Sequence, residues 1–258
     1  MLADFAAKWH RVKRGTVPFS TARADPLFLL TSDENRLMIE DSNADKNSTT
    51  PRKPRNVITG RAHHIVNRGN ERRRIFADQA DYATFLRLLT LGKARYAVKV
   101  FGIALIPNHF HGLFQPVKDG ALSEYLRWVL GVYASEFRAR NGTTGNGHVF
   151  QRRFWSDPIK DEAHFLSVLR YVEANALRAG LVERAERWSW CSAVLRHECD
   201  DGLLDPLPLT LPDQWIELVN AQQCEVELDT VRRPLLVGRP LAPVHVAGLG
   251  DDVRNNRD

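Results

Sequence analysis

The chain has only three cysteines, Cys191, Cys199 and Cys224, unevenly spaced and without a CxxC pair. That excludes a zinc knuckle and a disulfide framework and fits a reducing compartment. Long hydrophobic runs are missing too. No apolar stretch approaches the roughly 18 residues that span a bilayer, and the N-terminus lacks the apolar centre of a signal peptide, so a cytoplasmic protein is expected. The glycine-rich loop Asn141-Gly142-Thr143-Thr144-Gly145-Asn146-Gly147 has neither the lysine nor the serine of a Walker motif, which argues against a nucleotide site there.

Acidic charge is scarce in one region only. Between Arg52 and Glu198 there are 24 Lys and Arg against 13 Asp and Glu, a net of +11; the rest of the 258 residues carries 12 against 18, a net of −6. Basic charge so concentrated in the central region suggests a polyanion partner for it, with nucleic acid the first candidate. A solvated basic surface is the plainer reading. With 43% hydrophobic and 26% charged residues, the composition is that of an ordinary soluble protein.

Within the basic region, Pro107-Asn108-His109-Phe110-His111 stands out. In a strand beginning here, His109 and His111 point the same way and Phe110 points into the opposite layer. Two neutral imidazoles so placed can hold one divalent ion if a third ligand comes from elsewhere. They can equally be two polar residues on a solvated sheet face.

In chain order, residues 1–51 show no sustained period and read as a disordered N-terminal extension. Ala62 to Arg68 reads as a short strand, turned by Gly69-Asn70 into Glu71-Arg72-Arg73-Arg74. Those arginines suit phosphates or a solvated loop. Tyr82, Phe85, Leu86 and Leu89 make a helical stripe after an Asp78 N-cap, with Gly92 near its end. A second helix is expected from Ala121 to Arg140, with Leu122, Tyr125, Leu126, Val129, Tyr133 and Phe137 inward and Asn141-Gly142 as its stop. His148 to Trp155 alternates enough to be a strand, and its Arg152 and Arg153 beside Phe154 and Trp155 suit single-stranded nucleic acid. A third helix is expected from Glu162 to Ala179, capped by Asp161 and stopped by Gly180. On one of its faces Tyr171, Asn175 and Arg178 recur at i, i+4, i+7. A phenol, a carboxamide and a guanidinium in one row are reactive beside a metal and otherwise a polar stripe. From residue 199 to 258 the chain reads as a C-terminal appendage, with a short helix within Asp213–Ala221 and an irregular basic stretch from Arg232 to Pro240.

Taken together, these motifs resemble the REP-associated tyrosine transposases, within the single-tyrosine HUH transposases. The resemblance rests on His64 to Arg68-Gly69-Asn70, on Pro107-Asn108-His109-Phe110-His111, on Gln151-Arg152-Arg153-Phe154, and on Tyr171-Val172-Glu173-Ala174-Asn175 followed by Arg178-Ala179-Gly180-Leu181-Val182. It covers residues 52–198 in family order, and Trp215 to Pro240 is similar to the family's C-terminal extension. One departure is visible: the family's usual proline after the asparagine is Ala176 here, which should change local helix shape rather than chemistry.

The resemblance implies an α+β fold, a ferredoxin-like or RRM-like antiparallel sheet with helices on one face. It also implies metal-dependent cleavage and rejoining of single-stranded or hairpin DNA through a 5′-phosphotyrosine. Tyr171 falls on the nucleophile, and His109, His111 and Asn175 on the ligands of Mg2+ or Mn2+. The DNA contacts are expected from Arg68, Arg72, Arg73, Arg74, Arg152, Arg153 and Arg178. Such a protein is nucleoid-associated, and the tyrosine helix completes either its own subunit's site or that of a partner in a homodimer. The rival is a domesticated DNA-binding or regulatory protein that keeps the fold without strand transfer. An RRM-type RNA binder should present aromatics on its central strands where this chain presents histidines. A zinc amidohydrolase needs a barrel and later ligands that the remaining histidines do not supply.

Overall fold

The computed structural model describes residues 56–145, 147–198 and 202–236. The expected N-terminal extension, 1–51, lies outside the described residues. Four strands, β1 (His63–Arg68), β2 (Val98–Ile106), β3 (His109–Pro116) and β4 (Trp155–Pro158), form one antiparallel sheet in the order β2-β3-β1-β4. Helix α1 (Gln79–Lys93) joins β1 to β2, and α2 (Ala121–Arg140) joins β3 to β4. This is the ferredoxin-like arrangement expected.

Alternation along β3 sorts the two faces. Phe110 and Phe114 point to α1 and α2, where their ring centroids lie 5.0 Å from Phe85 and 5.9 Å from Tyr125. The stripes read from the sequence, Tyr82, Phe85, Leu86 and Leu89 on α1 and Leu122 to Tyr133 on α2, are the buried ones. At the start of α1 the Asp78 carboxylate accepts from the Asp81 amide while Asp81 reaches back, a reciprocal cap.

His109 and His111 point to the other face, and α3 (Glu162–Glu173) covers it. Helices on one face therefore describes α1 and α2 but not α3, which follows β4 and packs on the opposite side. Gly102 of β2 allows the close approach: a Cβ there would sit 2.7 Å from Leu169 Cδ1. Phe165 of the same helix meets Phe101 at 5.6 Å.

One strand is an addition to the elements read from the sequence, and two local expectations are corrected. The apolar run Val98–Ile106 is a strand of its own, hairpinned to β3 through Pro107-Asn108; buried on both faces, it carries no alternation to announce it. The strand expected over His148–Trp155 is only Trp155–Pro158. Before it, Phe150 makes one isolated bridge to Gly69. Phe154 is buried in the core, not presented to bases. The third helix breaks at Ala174, and a short helix α4 (Asn175–Arg178) follows.

The C-terminal segment packs on the domain. Helices α5 (Ser192–Glu198), α6 (Trp215–Asn220) and α7 (Glu225–Leu236) follow, the last running through Arg232 to Leu236, where an irregular stretch was expected. Leu228 and Val231 of α7 join the core, and Arg170 of α3 donates to the Leu218 and Ala221 carbonyls and pairs with Glu227 at 3.1 Å. Trp188, Trp190, Arg196 and Asp205 cover the outer edge of β2. Leu105 N donates to the Trp190 carbonyl (3.0 Å), Trp188 Nε1 to the Leu105 carbonyl (2.8 Å) and Asp205 N to the Val100 carbonyl (2.7 Å). Val100 N in turn donates to Asp205 Oδ2 (2.7 Å), and Arg196 Nη2 to the Phe101 carbonyl (2.9 Å).

Candidate active site

The register of the sheet assembles the site. β1 opposes β3 with Arg68 across from His109, Val66 across from His111 and His64 across from Leu113. Opposed residues share a face, so His64, Arg68, His109 and His111 all stand on the side covered by α3. The histidines are at most 3% exposed and Arg68 is 5% exposed.

Each imidazole of the HxH pair is held at its Nδ1. His109 Nδ1 lies 2.7 Å from Asn108 Oδ1, an acceptor, so this nitrogen carries the proton and Nε2 carries the lone pair. His111 Nδ1 lies 3.0 Å from His64 Nε2. If His111 donates in this bond, its Nε2 likewise becomes the lone-pair nitrogen. Burial holds the His64 imidazole down to about 3, with His164 and Arg178 adding repulsion, and burial with the charges of its neighbours holds His111 well below the ordinary value. Both rings are neutral at physiological pH, the state in which imidazole binds a cation.

Tyr171 meets these rings from α3. Its ring stands edge-on to His111 at 5.5 Å and to His64 at 5.8 Å, and Trp155 stands edge-on to His64 at 5.6 Å. The Arg178 guanidinium lies over the tyrosine ring, 3.9 Å from its centroid. Nη2 of Arg178 donates to the Tyr171 carbonyl at 2.8 Å. In an unbroken helix that carbonyl serves the amide of Asn175; here Arg178 reaches it across the break at Ala174. The row of Tyr171, Asn175 and Arg178 thus keeps its two ends in contact.

Asn175 is 1% exposed, and neither its Oδ1 nor its Nδ2 has a hydrogen-bond partner among the described residues. An orphaned buried carboxamide is costly unless something else satisfies it. Among the described residues no three His, Cys, Asp or Glu side chains gather in metal-binding fashion, and the Asn175 oxygen is a buried neutral donor that the described residues leave unsatisfied.

The remaining arginines lie around the same end of the sheet. Asn70 N donates to the Val149 carbonyl and Gln151 N to the Arg68 carbonyl, which lays the segment bearing Arg152 and Arg153 beside the turn bearing Arg72, Arg73 and Arg74. Arg73, Arg74, Arg152 and Arg153 are exposed, Arg73 paired with Glu71 at 2.5 Å. Tyr133 of α2 is on the far side of the sheet. It packs on Phe76 and Phe85 and donates its hydroxyl to the Ile75 carbonyl, and burial holds its phenol well above the usual range.

Two residues escaped the sequence reading as site groups. His64 was seen only as part of a motif, because its role depends on strand register. Glu173, two residues from Tyr171, is fully buried. Its carboxylate accepts from Ser192 Oγ (2.7 Å), Arg196 Nη2 (3.0 Å) and Trp215 Nε1 (2.7 Å), tying the tyrosine helix to two later helices, α5 and α6.

Residues 58–175 match the model of the family described as IS200-like transposase. A protein described as a REP-associated tyrosine transposase from Haemophilus influenzae is 25% identical over 105 residues, covering 38% of this chain and 60% of that protein. The chain thus spans less than two thirds of that relative's length. A solved REP-associated tyrosine transposase bound to a REP hairpin aligns with a TM-score of 0.46 at 18% identity, over 55% of this chain and 82% of the other. A crystallised protein of Deinococcus radiodurans described as a transposase aligns with a TM-score of 0.34 at 13% identity, over 48% and 98%. Residues 58–175, a little under half of the chain, are thus similar to the IS200-like transposases.

Proposed function

We propose that the protein is a metal-dependent single-strand DNA transposase or endonuclease that cleaves and rejoins DNA at hairpin sequences through a 5′-phosphotyrosine at Tyr171. The observation that carries this reading is the meeting of Tyr171 with His111 at 5.5 Å beneath the Arg178 guanidinium. A phenol, two lone-pair imidazoles and a guanidinium are the groups needed to attack a phosphodiester and hold its charge.

The phenol is a poor nucleophile at neutral pH, with a reference pKa of about 10. A Mg2+ or Mn2+ ion held by His109, His111 and Asn175, with water and phosphate oxygens completing the shell, would polarise the phosphate. Two nitrogens and one neutral oxygen are a weak set for so hard an ion, so binding without DNA should be weak. Tyr171 is 1% exposed, so its oxygen reaches phosphorus only after the cover over the ring opens. Arg178 is part of that cover, and a phosphate is the ligand that competes for a guanidinium. On attack the tyrosine oxygen bonds to phosphorus and loses its proton, and the departing 3′ oxygen leaves as a hydroxyl. Arg68, beside His109, and the exposed arginines at this end of the sheet hold the flanking phosphates.

The test is a nicking assay on a single-stranded hairpin with and without Mn2+. The expected result is metal-dependent cleavage leaving a protein–DNA adduct that survives denaturation. Hairpin binding that weakens steeply with salt but never leads to cleavage, with metal present, would leave the regulatory DNA-binding reading instead.

A further inference from the structure

The break at Ala174 opens onto a cavity of about 380 Å3, walled on one side by Ala174, Leu177 and Arg178 and on the other by α7 and the segment leading to it. Its floor is apolar, from Ala174, Leu177 and Leu228, and its polar groups are guanidiniums, carboxamides and the single carboxylate of Glu225. Arg232 is the unusual one. It is 6% exposed, its Nε has no hydrogen-bond partner among the described residues, and the carboxylate paired with it, that of Glu225, lies at the limiting distance of 4.0 Å on a side chain 80% exposed. A buried guanidinium so weakly neutralised is costly unless an anion joins it. Opposite stands Arg178, whose Nη1 donates to Gln223 Oε1 at 2.9 Å.

We propose that this cavity receives one nucleotide of the single-stranded DNA adjoining the bond cut, with its phosphate on Arg232. This deepens the transposase reading and rests on it. The volume falls at the small end of ligand pockets, about 300–1,000 Å3, which suits one nucleotide and no more. Guanidiniums match phosphate oxygens, and the carboxamides of Gln222 and Gln223 can both donate to and accept from a base edge. Because Arg178 joins Gln223 to the Tyr171 ring, a nucleotide here would draw on the group that covers the nucleophile.

The test compares two labelled DNA hairpins by fluorescence anisotropy, one with single-stranded tails and one blunt. Wild-type protein should prefer the tailed hairpin. Arg232→Gln should lose about tenfold on the tailed hairpin, the scale of one charged hydrogen bond, lower the salt slope by about one, and leave blunt binding unchanged. Gln222→Trp, a substitution at an exposed residue of the cavity wall, should fill the space and cause the same loss with the charge kept; it decides the matter alone if melting shows that Arg232→Gln is unfolded. Tail preference retained in both variants, or an equal loss on both hairpins, overturns the proposal. A melting shift with mixed deoxynucleoside monophosphates that Arg232→Gln abolishes, without any tail preference, assigns the cavity to free nucleotides and also overturns it. If wild-type protein binds neither hairpin, the transposase reading falls first and this one with it.

Discussion

His64 Nε2 lies 3.0 Å from His111 Nδ1, ring stacked against ring at a centroid distance of 5.3 Å. Only one proton lies between them. When His111 supplies it, the His111 Nε2 lone pair is freed for a cation and His64 keeps its own proton on Nδ1. When His64 supplies it, the His111 Nε2 is protonated and cannot ligate.

His64→Ala should therefore weaken Mn2+ binding by roughly 10- to 100-fold, the usual effect of losing a group that orients a ligand. Calorimetric titration of Mn2+ into protein loaded with an uncleavable hairpin measures it. Affinity equal to wild type would mean that His111 needs no orientation from His64.

Tyr171→Phe should abolish the covalent adduct and leave hairpin affinity close to wild type, because only the oxygen is removed. Denaturing gels with labelled hairpin and anisotropy give the two readouts. Tyr133 offers no second nucleophile, since its hydroxyl is committed to the Ile75 carbonyl on the opposite side of the sheet.

Acid should destabilise the fold before it protonates the site. His64 is held down to about 3 when folded and returns to about 6.5 when unfolded. Below pH 6.5 the unfolded chain then binds the extra proton, so stability is complete above that pH and is lost as pH falls toward 3. From His64 alone the loss at pH 5 is about 2 kcal/mol, with His111 shifted in the same direction. Urea unfolding at pH 7 and pH 5 should show it, and His64→Phe should flatten the dependence. An unchanged midpoint would contradict the buried neutral imidazole.

Glu173→Ala should cost about 3–5 kcal/mol, as when one partner of a buried ion pair is removed, because it strands Arg196, Ser192 and Trp215 together. For a chain of this size that is a fall in Tm of roughly 6–20 °C. Calorimetry measures it, and a fall of a degree or two would show that the later elements hold α3 without the carboxylate.

Local patterns carried most of the fold. The helical stripes around Phe85 and Tyr125, the Asp78 and Asp161 caps and the Asn141-Gly142 stop depend on residues within a turn or two, and the structure follows them. His109 and His111 share a face because strand alternation is equally local. What stayed hidden depends on distant partners. His64 joins the site through the β1–β3 register, Glu173 through Ser192, Arg196 and Trp215, and β2 goes unannounced because both its faces are buried. The break at Ala174 was hidden differently: nothing in Ala-Asn-Ala forbids a helix, and it comes with Arg178 bonded to the Tyr171 carbonyl.

The covering of β2 by Trp188, Trp190, Arg196 and Asp205 bears on assembly. An edge strand ordinarily invites other chains, because its outward amides and carbonyls form a ready template. At Val100 and Leu105 both backbone groups are taken by the protein's own later residues, and the Phe101 carbonyl is taken by Arg196. Two copies thus cannot merge their sheets through these positions, nor can an extended peptide be added as a fifth strand there, and a homodimer of this protein would have to be built through another surface.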